Sequence, residues 1–168
     1  MGTDHPEFAK AEETVKAQIA RILDVKGSKT VDDFHRALGQ VMWQECAMSR
    51  NEAGLKKALE EIKALKAEFW QEVKVTGRAD ELNTELEKAL RLADFIELGS
   101  LMCTDALQRN ESCGAHFREE YQTEEGEAVR VDEKFAYVSA WEYADGGFQL
   151  HREELNFEYV QPSVRSYK

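Results

Sequence analysis

The sequence predicts a mainly α fold: an up-down-up three-helix bundle with a leading helix and a C-terminal β-hairpin or extended tail. Three observations predict it. Apolar residues recur at spacings of three and four through the first two-thirds of the chain, short polar breaks separate those runs, and beyond Asn110 a region of alternation appears. Short connections make successive helices antiparallel neighbours. The expected divisions are 1–29 for the leading helix and linker, 30–109 for the bundle, and 110–168 for a loop and β tail. That tail must pack on the bundle or on a domain outside this chain, because a two-stranded hairpin is marginal alone.

The leading helix is predicted to start at a capping box of Asp4 and Glu7, with Pro6 in its first turn. Its stripe is Phe8, Ala11, Val15, Ile19, Ile22 and Leu23, ending near Gly27. Thr30 is the expected N-cap of the second helix, with Asp32 and Asp33 favourable at the positive end of its dipole. Val31, Phe34, Leu38, Val41 and Met42 form its stripe, and Trp43 adds bulk. Asn51 caps the third helix, whose face is Leu55, Leu59, Ile62, Leu65, Phe69 and Val73, until Thr76-Gly77 breaks the run. The fourth and longest helix is placed from about Asp80. Its heptad-like seam runs through Leu82, Leu86, Ala89, Ala93, Ile96, Ser100, Cys103 and Leu107, widened by Leu90, Phe95, Leu98, Leu101 and Met102. Alternation over 135–143 and the Asp145-Gly146-Gly147 turn signal then predict the hairpin.

Composition narrows the function classes. Of 168 residues, 33 are acidic and 22 basic, a formal net charge of -11. That balance disfavours nucleic acid and anionic lipid surfaces as partners. Three widely spaced cysteines do not make a disulfide framework, so a reducing, cytoplasmic setting is expected. No signal peptide is visible in MGTDHPEF, and no run approaches the 18 apolar residues of a membrane span, so direct membrane insertion is not expected.

Reactive side chains concentrate in Arg109-Asn-Glu-Ser-Cys-Gly-Ala-His-Phe-Arg-Glu-Glu120. Cys113 and His116 could ligate a metal with Cys103, Glu119 or His151, but the C-x-x-H lacks a second ligand pair. A Cys113 nucleophile with His116 as base requires a geometry that such near neighbours in sequence rarely reach. The preferred reading is structural: Gly114 supplies a positive φ, and Arg/Glu pairs fix a loop of unusual shape that suits an inter-domain contact. Trp141, Phe148, Phe157 and Tyr159 are more apolar bulk than a hairpin can hide, which points to an interface. His5 and His151 read as solvated, His35 as a core-edge histidine, and Met42, Met48 and Met102 as core filler. Lys56 to Glu68 reads as a solvated face with i, i+4 pairs. No glycine-rich nucleotide motif and no H-E-x-x-H occurs.

The 105–120 stretch resembles the R-x-E-S-R/C-G-x-H-x-R-E/D segment of the flavoprotein subunit of fumarate reductase and succinate dehydrogenase. It matches at Arg109, Glu111, Ser112, Gly114, His116, Arg118 and Glu119. Cys113 stands where the wider family has arginine, as in a bacterial branch that pairs with a membrane cytochrome b. The stretches 34–43, 54–59 and 82–86 resemble the bundle helices of the same domain, and 135–143 with Arg165-Ser-Tyr167 resembles the subunit's terminus. L-aspartate oxidase carries a related appendage, but the Trp141-containing tail favours the reductase/dehydrogenase side.

The resemblance implies a spectrin-repeat-like bundle excised from a longer enzyme that interconverts succinate and fumarate. In that family FAD and the dicarboxylate are held upstream, so no catalytic, cofactor or metal residue is carried onto this chain, and Met1-Gly2 is expected to be a start within a longer sequence. The seven matched residues are expected to form an interface with the FAD-binding domain of the same parent chain and with the iron–sulfur subunit. The parent is expected on the cytoplasmic face of the inner membrane. From the residues alone, a free-standing helical adaptor that binds a partner through its β tail is the other reading.

Overall fold

Local signals and apolar spacing set the helices in place. The computed structural model describes residues 4–144 and 146–163; Met1-Gly2, Asp145 of the expected turn and Arg165-Ser-Tyr167 lie outside the described residues. In order the elements are α1 (Pro6–Asp24), β1 (Lys29–Thr30), α2 (Val31–Glu45), β2 (Ser49–Arg50), α3 (Glu52–Glu72), β3 (Val73–Lys74), α4 (Thr84–Gln108), β4 (Phe117–Arg118), α5 (Asp132–Phe135), β5 (Tyr137–Ala144) and β6 (Gly147–Glu154). They sort into two compact units: Met1–Trp43 with Ala58–Ser100, and Gln44–Lys57 with Leu101–Lys168. Helices α2, α3 and α4 contribute to both.

In the first unit the start of α2 meets the end of α3. β1 pairs in parallel with β3 in the register Lys29↔Val73 and Thr30↔Lys74, and Lys29 is ion-paired with Glu68. Asp32 at the α2 start faces Lys88 near the α4 start. Thus α2 runs antiparallel to α3 and parallel to α4, the up-down-up order expected. The core holds Val31, Phe34, Ile62, Phe69, Leu92 and Ile96, with the Phe34 and Phe69 rings edge-to-face at 5.5 Å.

Caps explain most of the boundaries. Thr30 Oγ1 accepts the Asp33 amide (3.2 Å), while the Asp33 carboxylate accepts the Thr30 amide (3.0 Å), a reciprocal box opening α2. Asn51 Oδ1 accepts the Gly54 amide (2.8 Å) and opens α3. At α1 the cap is His5 rather than Asp4: its ring Nδ1 accepts the Glu7 amide (3.3 Å), which also leaves His5 half-buried rather than solvated. Helix α4 starts at Thr84, not near Asp80, because Asn83 Oδ1 caps the Leu86 amide (3.0 Å) and Asp80 is occupied by Arg78.

The apolar stripes depart from expectation where nothing covers them. Only Ile22 of α1 is buried; Phe8 and Val15 are exposed, so the helix is anchored at one end. Arg21 helps there, lying 3.9 Å over the Trp70 ring. Next comes Gly27, where a Cβ would sit 1.9 Å from the Glu72 carbonyl oxygen, so the approach of chain to chain requires glycine. On α4, Leu82 lies before the helix and is 98% exposed. The buried row is Leu86, Ala89, Leu92, Ile96, Gly99, Cys103 and Ala106, so beyond Ala89 three of its seam positions shift by one residue. Phe95, Leu98 and Met102 are exposed, as are Trp43, Met48 and His35, the last beside the Phe95 ring. Gly99 carries the shift in α4: the Met42 sulfur and the Leu38 methyl pack 3.3 and 3.4 Å from where its Cβ would be. In the Lys56 to Glu68 run, Lys56 pairs with Glu52 at i, i+4, whereas Lys66 reaches Glu97 on α4.

Candidate functional site

The second unit centres on the segment after α4, and its chemistry begins with the end of that helix. The last carbonyls of a helix lack intrahelical donors and carry partial negative charge, yet α4 has no basic residue in its last turn. The missing donors return from the loop, one of them a cation. Arg118 Nη1 donates to the carbonyls of Ala106 (2.9 Å) and Leu107 (3.2 Å), and His116 Nε2 donates to that of Arg109 (2.8 Å). The segment is therefore a C-terminal cap assembled from residues up to twelve positions downstream.

Each further member of the motif holds that cap. Ser112 Oγ accepts the Arg118 amide (2.9 Å) and donates to the Arg118 carbonyl (3.1 Å), locking its backbone. Arg118, 1% exposed, also donates from Nε to Glu120 (3.1 Å). Glu111, 2% exposed, accepts from Arg109 Nη1 and from the Val131 amide, both at 2.9 Å. Arg109 donates onward to the carbonyls of Phe135 (3.2 Å) and Tyr137 (3.4 Å), joining the loop to the start of the hairpin. Gly114 takes φ +59° in a turn where the Cys113 amide donates to the His116 carbonyl (2.8 Å) and the His116 amide to that of Cys113 (3.1 Å).

The α2–α3 connection completes the frame. β2 pairs in parallel with β4, Ser49↔Phe117 and Arg50↔Arg118, and the Glu119 amide donates to the Arg50 carbonyl (2.9 Å). Glu119 accepts from Ser49 Oγ (2.8 Å) and Asn51 Nδ2 (2.9 Å). The hairpin pairs Tyr137↔Glu154 through Ala144↔Gly147, and Trp141 Nε1 donates to Asp105 on α4 (2.7 Å). Arg130 grips both oxygens of Asp132 and donates to the Ser163 carbonyl (3.1 Å), holding the chain beyond β6.

Electrostatics fix the state of His116. Because Nε2 carries the proton given to Arg109, Nδ1 is left as the acceptor toward Arg50 Nη1, 3.4 Å away. Burial holds this imidazole below the usual histidine range; its bond to the Arg109 carbonyl works against that, and the charges of Arg50, Arg118 and Arg109 add to the lowering. Burial pushes the Glu120 carboxyl up, but the Glu52 amide and Arg118 bring it below the usual carboxylate range.

The metal-binding alternatives disperse in space. Cys103 meets Cys46 instead of Cys113, Glu119 faces the α2–α3 connection, and His151 pairs with Glu142 on the hairpin at 2.7 Å. Among the described residues no group of three or more His, Cys, Asp or Glu side chains is placed to hold an ion. Of the seven motif residues, Glu111, Ser112 and Arg118 are buried, Arg109 and His116 half-buried, and Gly114 and Glu119 exposed. Arg50, Asp105 and Cys46 were not singled out by sequence. Their partners lie 36 to 66 residues away, and no local pattern marks them.

Comparison with known proteins matches this architecture. A family model described as the fumarate reductase flavoprotein C-terminal region matches residues 35–167. An uncharacterized FAD-dependent oxidoreductase of Methanocaldococcus jannaschii is 37% identical over 111 residues, covering 66% of this chain and 20% of that protein. The fumarate reductase flavoprotein subunit of Haemophilus influenzae is 24% identical over 159 residues, covering 95% of this chain and 25% of that protein. A solved Escherichia coli quinol fumarate reductase shares the fold at TM-score 0.82 and 21% identity, over 98% of this chain and 27% of that one. A Mycobacterium smegmatis Sdh1 complex does so at TM-score 0.71 and 20% identity, over 90% of this chain and 25% of that one. The chain spans about a sixth to a quarter of the length of the curated relatives it matches.

Proposed function

This chain belongs to the family of fumarate reductase flavoprotein C-terminal domains, and from that premise we propose that it is the helical terminus of a flavoprotein that interconverts succinate and fumarate. The parent would exchange electrons between FAD and an iron–sulfur subunit. The carrying observation is the match over 35–167 in a chain a quarter as long as its relatives. Within the parent, this domain is a scaffold and is inactive alone. Its buried Glu111, Ser112 and Arg118 shape the loop; Gly114, Glu119 and the accessible edges of Arg109 and His116 meet the FAD-binding domain of the same chain and the iron–sulfur subunit.

The placement of FAD outside this chain is supported by what its strands lead into. β1 and β2 run into α2 and α3 with no glycine between, whereas a dinucleotide cradle needs a glycine-rich turn opening on a helix N-terminus. Neither of these two strands opens such a cradle, which supports a flavin held elsewhere in the parent. No helix among the described residues is long and apolar enough to cross a membrane; the attachment we propose for the parent, at the cytoplasmic face of the membrane, is assigned to parts outside them.

Purification of the 168-residue chain tests this reading. A folded, colourless protein that does not oxidise succinate, but restores that activity when joined to the flavin-binding part of its parent, is the expected result. A flavin absorbance band in the isolated chain would overturn it.

A further inference from the structure

The strand β2, which frames the capping loop, carries a cation whose charge nothing among the described residues answers. Four arginines of the second unit are shielded from solvent in part or in whole: Arg50, Arg109, Arg118 and Arg130. Three hold a carboxylate: Arg109 that of Glu111 (2.9 Å), Arg118 that of Glu120 (3.1 Å) and Arg130 that of Asp132 (2.7 Å). Arg50 holds none among the described residues, although the chain has 33 acidic side chains to offer. Glu119 lies beside it in the ladder, since its amide donates to the Arg50 carbonyl, but its carboxylate is taken by Ser49 and Asn51. Successive residues of an extended chain point to opposite sides, so the Arg50 side chain leaves in the other direction. There Nε donates to the Ala47 carbonyl (2.9 Å) and Nη1 faces His116 Nδ1 (3.4 Å). That ring is neutral and offers Nη1 a lone pair, not a charge.

The two bonds hold the half-buried guanidinium in one pose, and a charge kept from water without a counter-ion is costly. They use two of the five N–H groups of arginine. The others sit on Nη1 and Nη2, so the two terminal nitrogens can grip one carboxylate side by side. A phosphate would call for further cations, and the neighbouring guanidiniums are committed to carboxylates of their own. Resting on the reading that the accessible edge of His116 meets the FAD-binding domain of the parent, we propose that Arg50 is a carboxylate-binding site filled by an aspartate or glutamate of that domain. Arg50 lies against the same imidazole, so a surface that reaches one reaches the other.

Two measurements on the parent test this, each after its flavin band and succinate oxidation have been recorded. Phenylglyoxal modifies accessible guanidiniums; at Arg50 it blocks tryptic cleavage and yields peptide 37–56 in place of 37–50. That peptide should form readily in the 168-residue chain and at least tenfold more slowly in the parent. In the parent carrying Arg50→Lys, a water-soluble carbodiimide should couple the introduced amine to one Asp or Glu of the FAD-binding domain. Equal phenylglyoxal rates in the two proteins overturn the assignment, as does coupling confined to this chain, at Glu119 for example, or to the iron–sulfur subunit. If the variant parent loses its flavin, the rates in the two native proteins decide. A native parent without flavin or succinate oxidation brings down the underlying reading and this site with it, whereas an active parent with Arg50 open to the reagent brings down the site alone.

Discussion

The two units are filled by opposite chemistry. The largest buried side chains of the first are Phe34, Phe69, Ile22, Ile62, Leu92 and Ile96, whereas those of the second include Arg118 and Glu111, with Ser112 buried beside them. Apolar contacts are individually weak and forgiving in direction, so a helix can shift its buried row by one residue, as α4 does beyond Ala89. Buried polar groups are unforgiving, because each one left without a partner costs its full desolvation. Among the described residues no buried side-chain polar atom lacks a partner. The helical part can thus accept exchange among apolar residues, while the capping loop needs its polar groups at fixed offsets.

Truncation should expose that contrast. Phe69→Ala removes a fully buried ring and leaves a cavity, costing about 4 kcal/mol in urea denaturation, with little dependence on salt. Arg118→Met keeps the length of the side chain and removes its charge and its five N–H donors. It should cost about 3 kcal/mol, because the Ala106 and Leu107 carbonyls and Glu120 lose their partner. Hydrogen exchange sharpens the comparison: Arg118→Met should speed exchange at the Glu119 amide, which donates across to Arg50, and leave the α3 amides around Phe69 unchanged. A neutral Arg118→Met would break it, since the loop would then be held by packing like the rest.

Gly114→Ala isolates backbone conformation from packing. Nothing lies within 4 Å of the added Cβ, so the whole cost is that of φ +59° for an L residue, about 1 kcal/mol. Gly114→Asn should recover part of it, and equal losses for both variants would mean that the side chain meets something after all.

How much of this was legible follows from the range of each interaction. Thr30 and Asn51 announce helices because a cap and its amide lie three residues apart, and the hairpin's alternation is equally local. The α4 start was misplaced by Asp80 and Leu82, which imitate a cap and a first seam position; the real cap, Asn83, is an equally good local candidate. Trp43, Met48 and Met102 show the limit of hydrophobicity as a guide to burial, since an apolar side chain is buried only if another surface arrives to cover it. In the loop, residue types suggested Arg/Glu pairing, and Arg109–Glu111 and Arg118–Glu120 form it two residues apart. That the same arginine caps α4, and that Arg50 stands against His116 from 66 residues upstream, depends on where the helices bring the chain.

The smallest effect is the most specific to the loop. His116 is held neutral, its pKa lowered from 6.5 chiefly by burial and by three arginines, so the folded chain binds this proton less readily than the unfolded one. Its contribution to stability is complete above 6.5 and is lost as pH falls toward the lowered folded value, because only the unfolded chain is then protonated. The proton would go to Nδ1, toward the Arg50 guanidinium, and the capping bond from Nε2 to Arg109 would be strained with it. Carboxylates such as Glu120, lowered from 4.5, lose their contributions further down, so the two windows separate. Urea midpoints should fall for the native chain between neutral pH and about 5, a span set by the ordinary histidine range. His116→Gln, whose amide can still donate to the carbonyl, should be flat over that interval. Parallel curves for the two chains would mean that the histidine does not titrate against the arginines, and the charge argument for this loop would fall while its hydrogen bonds stood.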